Sequence, residues 1–92
     1  MMVFDGDRLY ELRSDKGLTQ DELGAIIYKS KHCVSHYERG TRQPDLDTVR
    51  RMADYFEVSV DYLLGRTRFP KLLERMLKHV LLNDMNDEDA EN

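Results

Sequence analysis

The side chains with the richest chemistry in this 92-residue chain lie in one short polar stretch. Four of them recur at helical spacing and form hydrogen bonds: Lys31, His32, Ser35 and His36. A lysine ammonium only donates, whereas a neutral histidine ring both donates and accepts. His32 and His36 are also four residues apart and could hold zinc together with Cys33. Because His79 lies far along the chain, no fourth ligand is visible, and we predict a hydrogen-bonding surface with no metal and no other cofactor.

Two short helices joined by a tight turn are predicted to position these side chains, from the start and stop signals between residues 18 and 40. Thr19 and Ser30 are residue types that favour N-caps, and Gly40 suits the position after a helix end. The second helix, residues 31–39, offers little apolar surface to a core and presents hydrogen-bonding groups outward. Such a helix suits insertion into the major groove of DNA.

This two-helix segment resembles the helix-turn-helix of the Cro/phage-repressor family, also called the Xre family. The flanking sequences resemble the same family, namely DRLYELRSDKGLTQ at residues 7–20, YERGTRQPDLDTV at 37–49 and FEVSVDYLLG at 56–65. The resemblance covers about two-thirds of the chain, from Asp7 to Gly65. It implies an all-α fold, a compact five-helix lambda-repressor-like DNA-binding domain.

The resemblance also implies which residues meet DNA. Contacts to base edges are expected from the N-terminal and outward positions of the recognition helix, namely Lys31, His32, Ser35 and His36. Contacts to the DNA backbone are expected from Gln20, Arg39, Thr41 and Arg42, and these would give register and salt-dependent affinity without reading sequence. We interpret Arg13 as structural, and Glu38 as an intramolecular partner of Arg13 or Arg39 rather than a DNA contact.

The chain departs from the family pattern at three positions. Tyr28 occupies the turn position where glycine is usual, Lys29 replaces an apolar residue, and Glu57 replaces a glycine or asparagine after the fourth helix. A left-handed backbone at Tyr28 would cost roughly 1 kcal/mol or more. These departures bear on the angle between the two motif helices.

Hydrophobic spacing predicts the remaining helices of the domain. Helix one is expected from about Asp7 to Lys16, and helix five follows Ser59 and ends at Gly65. Helix four follows Asp45 and is expected to bury one apolar face, made of Leu46, Val49, Ala53 and Phe56.

A sixth, amphipathic helix is predicted from about Pro70 to Leu82, so that the domain spans residues 1–68 and residues 69–92 form a helix and an acidic disordered tail. Its apolar stripe comprises Phe69, Leu72, Leu73, Met76, Leu77, Val80 and Leu81. This stripe could fold back on the core or pair with a second copy of the chain. We favour dimerisation, because so much apolar surface would otherwise face water.

Charge and cysteine content bound the class of protein. A single cysteine and the lack of a long apolar run favour a cytoplasmic protein with no membrane association. The net charge is −4, yet residues 29–42 hold four basic residues and one acidic residue. Five acidic residues lie from Asn83 onward. Because charges more than about 10 Å apart are largely screened at ordinary salt, the basic segment remains suited to double-stranded DNA.

The predicted function is therefore a sequence-specific DNA-binding transcriptional regulator, a repressor that binds a palindromic operator as a homodimer through helix 31–39. The same fold could serve an antitoxin that represses its own operon and binds a protein partner through its C-terminal helix, or a protein-interaction module. The basic and polar DNA-contact candidates argue against a module that has lost DNA binding. No nucleophile–base pair, phosphate-binding glycine loop or paired buried carboxylate is present in the sequence, so we do not expect an enzyme.

Overall fold

The computed structural model describes residues 3–71, and within that range the chain is all-helical, which confirms the predicted fold class. The five helices are α1 (Gly6–Asp15), α2 (Gln20–Ile27), α3 (Lys31–Arg39), α4 (Leu46–Phe56) and α5 (Val60–Leu63). The predicted sixth helix lies outside the described residues except for its first two, which form a bend. The acidic tail also lies outside them.

Each helix begins at a residue whose side chain accepts a hydrogen bond from the backbone three positions ahead. The N-caps are Asp5, Thr19, Ser30, Asp45 and Ser59. At α2 the Glu22 carboxylate also accepts from the Thr19 backbone N–H at 2.9 Å, which completes a capping box. This backbone hydrogen bond is the main cause that lowers the pKa of Glu22. Local polar signals therefore set where the helices start.

The core lies where one apolar face of each helix meets the others. Its buried hydrophobic residues are Phe4, Leu9, Leu23, Ile27, Val34, Tyr37, Val49, Met52, Ala53, Phe56 and Leu63. The prediction that Leu46 faces this core was wrong, because its side chain is 57% exposed. Leu46 is the first residue of α4 and lies beyond the end of the apolar stripe. Met52, which is fully buried, occupies the core position that the spacing argument missed.

The turn between α2 and α3 combines a left-handed residue with a close backbone approach. Tyr28 has φ 60° and ψ 42°, the strained conformation expected where the family has glycine. Its exposed ring lies 4.9 Å from the Arg51 guanidinium, a cation–π contact that offsets part of the cost. A Cβ added at Gly24 would overlap the Lys29 carbonyl oxygen, so Gly24 allows the turn to fold back onto α2.

Glu57 ends α4 in the same left-handed conformation, with φ 56° and ψ 43°, and offers a direct test of backbone strain. Its side chain is exposed and makes no recorded contact within residues 3–71. We expect Glu57→Gly to raise the free energy of unfolding by roughly 1 kcal/mol, because glycine adopts this conformation without steric cost. The measurement is urea denaturation followed by circular dichroism.

Ala25→Gly is the matched control, since Ala25 is exposed in the interior of α2. There glycine should lower stability by about 1 kcal/mol, because glycine is that much less favourable than alanine in a helix interior and has no left-handed strain to relieve. A loss of stability in Glu57→Gly equal to that in Ala25→Gly would contradict a left-handed backbone at position 57.

Candidate nucleic-acid interface

The helix α3 presents a polar face outward while two residues hold it to the core. Val34 is fully buried and Tyr37 is 4% exposed. The four predicted base-contacting side chains are exposed or half-buried on the same helix: Lys31, His32, Ser35 and His36. The helix bounds match the predicted range of residues 31–39. The arrangement brings the four candidates together at the surface, and their contacts with bases stay a prediction.

A buried ion pair fixes α3 against α1. Nε of Arg13 donates to Oε2 of Glu38 at 2.6 Å, and a second guanidinium nitrogen lies 3.1 Å from Oε1. The two side chains are only 13% and 5% exposed. Hydrogen bonding to Glu38 is the largest effect on the pKa of Arg13, which is raised above its usual value. The predicted structural roles of both residues are confirmed, and the partner is Arg13, not Arg39.

Gln20 joins the same cluster from the first position of α2. Its amide Nε2 donates to Oε1 of Glu38 at 3.1 Å, while Arg13 donates to the Leu18 carbonyl oxygen at 2.7 Å. The Glu38 carboxylate thus accepts hydrogen bonds from α1 and α2 and fixes the position of α3 relative to both. Gln20 thereby braces the recognition helix, and its phosphate contact stays a prediction.

Three of the four residues predicted to contact the DNA backbone lie at and just beyond the C-terminal end of α3. Arg39, Thr41 and Arg42 are all exposed. Arg39 donates from Nε to the Ser35 carbonyl oxygen at 3.3 Å, which leaves the end of its guanidinium directed away from that bond. Two exposed arginines therefore border the polar face of α3, and they are of the residue type that commonly contacts phosphate.

Cys33 lies half-buried in the first turn of α3, where it packs against the hydrophobic core and has polar groups near its thiol. A guanidinium nitrogen of Arg42 lies 3.9 Å from Sγ of Cys33. The Ser30 hydroxyl is the largest cause that lowers the pKa of Cys33, and the charge of Arg42 acts in the same direction. Among residues 3–71, no group of three His, Cys, Asp or Glu side chains is close enough together to hold a metal ion.

His36 makes a specific contact with the loop that follows its helix. Its Nδ1 lies 2.7 Å from Oγ1 of Thr41. The same hydroxyl donates to the His36 backbone carbonyl oxygen at 3.3 Å. Sequence reasoning treated these two residues as separate DNA contacts and did not anticipate that they are paired with each other.

Sequence reasoning also missed the segment before α1. Phe4 is 4% exposed and packs edge-on against Tyr37, with ring centroids 6.4 Å apart. The Asp5 backbone N–H donates to the Leu63 carbonyl oxygen at 2.8 Å, so this segment joins both α3 and α5. The signal was a hydrophobic staple, because Phe4 precedes the N-cap and Leu9 is the fourth residue of the helix.

Arg8 is a second missed residue, and it ties α1 to the end of α5. One guanidinium nitrogen donates to the Tyr62 carbonyl oxygen at 2.7 Å and also to the carbonyl oxygen of Thr67. The guanidinium carbon lies 4.3 Å from the centroid of the Tyr62 ring.

No helix in the described part of the chain is long and apolar enough to cross a membrane.

Comparison with known proteins places this geometry in a family. A family model described as Helix-turn-helix (HTH_3) matches residues 9–63. The HTH-type transcriptional regulator ImmR of Bacillus subtilis (strain 168) is 36% identical over 89 residues, which are 92% of this chain and 70% of ImmR. The Cryptic phage CTXphi transcriptional repressor RstR of Vibrio cholerae is 32% identical over 58 residues, which are 63% of this chain and 52% of RstR.

Solved structures agree with the sequence relatives. The P22 c2 repressor protein in complex with a synthetic operator has a TM-score of 0.64 and 26% identity, over 67% of this chain and 94% of the repressor chain. A transcriptional regulator from Listeria innocua has the same TM-score and identity, over 94% of this chain and 82% of the regulator chain.

The Arg13–Glu38 pair predicts a large effect from a small change. Glu38→Gln keeps the shape of the side chain but leaves the Arg13 guanidinium without its buried anion, so we expect a loss of about 3 kcal/mol in unfolding free energy. Urea denaturation measures it. Glu11→Gln is the matched control, since Glu11 is exposed on α1, and it should change stability by less than about 0.5 kcal/mol. Equal effects of the two substitutions would refute the bracing role of the pair.

Proposed function

Because the chain belongs to the Cro/Xre-type helix-turn-helix family of DNA-binding transcriptional regulators, we propose that it is a repressor that binds a palindromic operator as a homodimer, with α3 as its recognition helix. The chain is a DNA-binding regulator and not an enzyme. The repressor assignment draws support from the RstR and P22 c2 relatives, both of which are named as repressors.

The observation that carries the proposal is the way α3 is mounted. A helix held by two buried residues and one ion pair leaves the rest of its circumference for another molecule. The major groove admits one α-helix, and each base pair there displays a distinct pattern of donors and acceptors. Lys31 would donate to a guanine O6 or N7, while His32, Ser35 and His36 would contact neighbouring base edges.

The border of α3 supplies the sequence-independent part of the proposed binding. Arg39 and Arg42 would contact phosphates on one side of the groove, and Gln20 would contact phosphate from the start of α2. Because each phosphate neutralised releases condensed counterions, these contacts give affinity that falls as salt rises. The net charge of −4 is no obstacle at physiological ionic strength, where distant acidic residues are screened.

The proposed dimer rests on the chain beyond α5. Phe69 is 49% exposed, and the Pro70 carbonyl oxygen accepts a 2.6 Å hydrogen bond from the Ser59 backbone N–H, which ties the start of the predicted sixth helix to the domain. Pairing the predicted stripe from Phe69 to Leu81 about a two-fold axis would place two recognition helices symmetrically. Such symmetry matches a palindromic operator with half-sites about one helical turn apart.

Substitution of the proposed base and phosphate contacts should have different signatures. On an operator obtained by selection from random oligonucleotides, we expect Lys31→Ala to cost about 1–3 kcal/mol and to relax sequence preference. Arg42→Ala should weaken all DNA sequences similarly and reduce the slope of log affinity against log salt by about one unit. Fluorescence anisotropy over a salt series measures both effects.

Lys16→Ala is the charge-matched control for these variants. Lys16 lies at the end of α1 with its ammonium 4.8 Å from the Tyr55 ring centroid, away from α3. Lys16→Ala removes the same charge as Lys31→Ala but no proposed DNA contact, so operator preference should be unchanged. If Lys31→Ala and Lys16→Ala had the same effect on preference, α3 would not be the recognition helix.

The dimer proposal is tested by a charge in the predicted stripe. We expect the full chain to sediment as a dimer at micromolar concentration and Met76→Lys to sediment as a monomer, because pairing would bury an uncompensated ammonium. The monomer should bind an operator weakly, since it loses the avidity of two linked recognition helices. Lys78→Gln, on the opposite face of the predicted helix, is the control and should remain dimeric. A monomeric wild-type chain would contradict the proposal.

A further inference from the structure

The contact between His36 and Thr41 bears on which ring nitrogen of His36 carries the proton. Gly40 adopts a left-handed conformation, with φ 74°, and turns the chain so that Thr41 returns over α3. The Thr41 backbone N–H donates to the His36 carbonyl oxygen at 3.0 Å. Backbone and side chain of Thr41 are therefore both directed at one residue, and the position of the hydroxyl is set by the helix end.

Proton counting over this contact gives one arrangement that uses both hydrogen bonds. A hydroxyl group has a single proton, and the Thr41 hydroxyl donates it to the His36 carbonyl oxygen at 3.3 Å. The 2.7 Å contact with Nδ1 must then be a hydrogen bond that the hydroxyl oxygen accepts, so Nδ1 carries the proton. The reverse arrangement, with the hydroxyl donating to Nδ1, would satisfy only one of the two contacts.

A neutral ring protonated at Nδ1 has a lone pair at Nε2, so Nε2 only accepts hydrogen bonds. Within residues 3–71 no group is recorded in a hydrogen bond with Nε2, which leaves it for a ligand. In the major groove the only base-edge donors are the amino groups of adenine N6 and cytosine N4. Guanine presents N7 and O6, and thymine presents O4, all of which are acceptors that would face the lone pair unfavourably.

We propose that Thr41 fixes His36 in the Nδ1–H form, so that His36 selects an exocyclic amino group, that of adenine or cytosine, at one position in each half-site. This selection rests on the proposed function, since it requires α3 to lie in a major groove. Thr41 is a positioning residue that acts through His36, and its hydroxyl is not a phosphate contact. His36 thus complements Lys31, which as a donor would favour guanine.

The tautomer is measured on the free protein, independently of DNA. Two-bond proton–nitrogen correlation spectra of the histidine rings are recorded in alkaline buffer, where imidazole is neutral. His36→Gln identifies the His36 signals. We expect a protonated Nδ1 in wild type and in Thr41→Ser, which keeps the hydroxyl, and a mixture of tautomers in Thr41→Val. A wild-type ring protonated at Nε2, or one unchanged by Thr41→Val, overturns the proposal.

Base selection is measured with pools of random oligonucleotides. Wild type and Thr41→Ser should prefer one base pair at the position whose preference His36→Ala abolishes. Each base pair carries one amino group in the major groove, on adenine or on cytosine. Removing that amino group, with purine in place of adenine or 2-pyrimidinone in place of cytosine, should weaken wild-type binding about three- to tenfold, the worth of one hydrogen bond, and Thr41→Val binding by less than about twofold. An equal loss of binding in wild type and Thr41→Val would overturn the proposal.

The two measurements fail in different ways. Wild-type binding that tolerates removal of that amino group, with Nδ1 protonated, overturns the amino-group selection alone. A wild-type protein without any sequence preference overturns the proposed function and the selection with it, and the ring spectra then still decide the tautomer.

Discussion

The whole domain depends on one carboxylate, that of Glu38. It is buried where α1, α2 and α3 converge, and it is hydrogen-bonded to Arg13 and Gln20. A buried charge is tolerable only when its partners are held in place, so the three helices must adopt one relative arrangement to satisfy it. The hydrogen bonds of Glu38 therefore add a directional constraint on α3 to its packing against the core. The polar face of α3 is therefore presented in a defined orientation.

Much of this fold could be predicted from the sequence because its boundaries are set locally. Thr19 and Ser30 sit at N-caps, where a side chain satisfies a backbone N–H a few residues away, and such signals need no knowledge of the tertiary structure. Leu46 shows the limit of that reasoning. Helical spacing identifies the apolar face of α4. How far along the helix that face is buried depends on where the neighbouring helices pack against it, which the spacing does not show.

The candidate site could be predicted by residue type but not by pairing. Sequence identified Glu38 as an intramolecular partner and left Arg13 and Arg39 open, because the choice depends on how α1 crosses α3. The contact between His36 and Thr41 depends on the left-handed turn at Gly40, which brings together residues on either side of a helix end. Local propensity indicates that such a turn exists, but not which side chains it joins.

The hydrogen bonds from Arg8 to the carbonyl oxygens of Tyr62 and Thr67 bear on two properties of the protein. One is the set of bases that α3 reads, and the other is the distance to whatever the chain beyond residue 71 joins. The path along which the chain leaves the domain is thus held by contacts of α1 that do not involve α3. Substitutions on the outward face of α3 would change which bases are read. Changes beyond residue 71 would change the distance to the domain of a second copy of the chain. New operators can thus be acquired in evolution one property at a time, each without loss of the other.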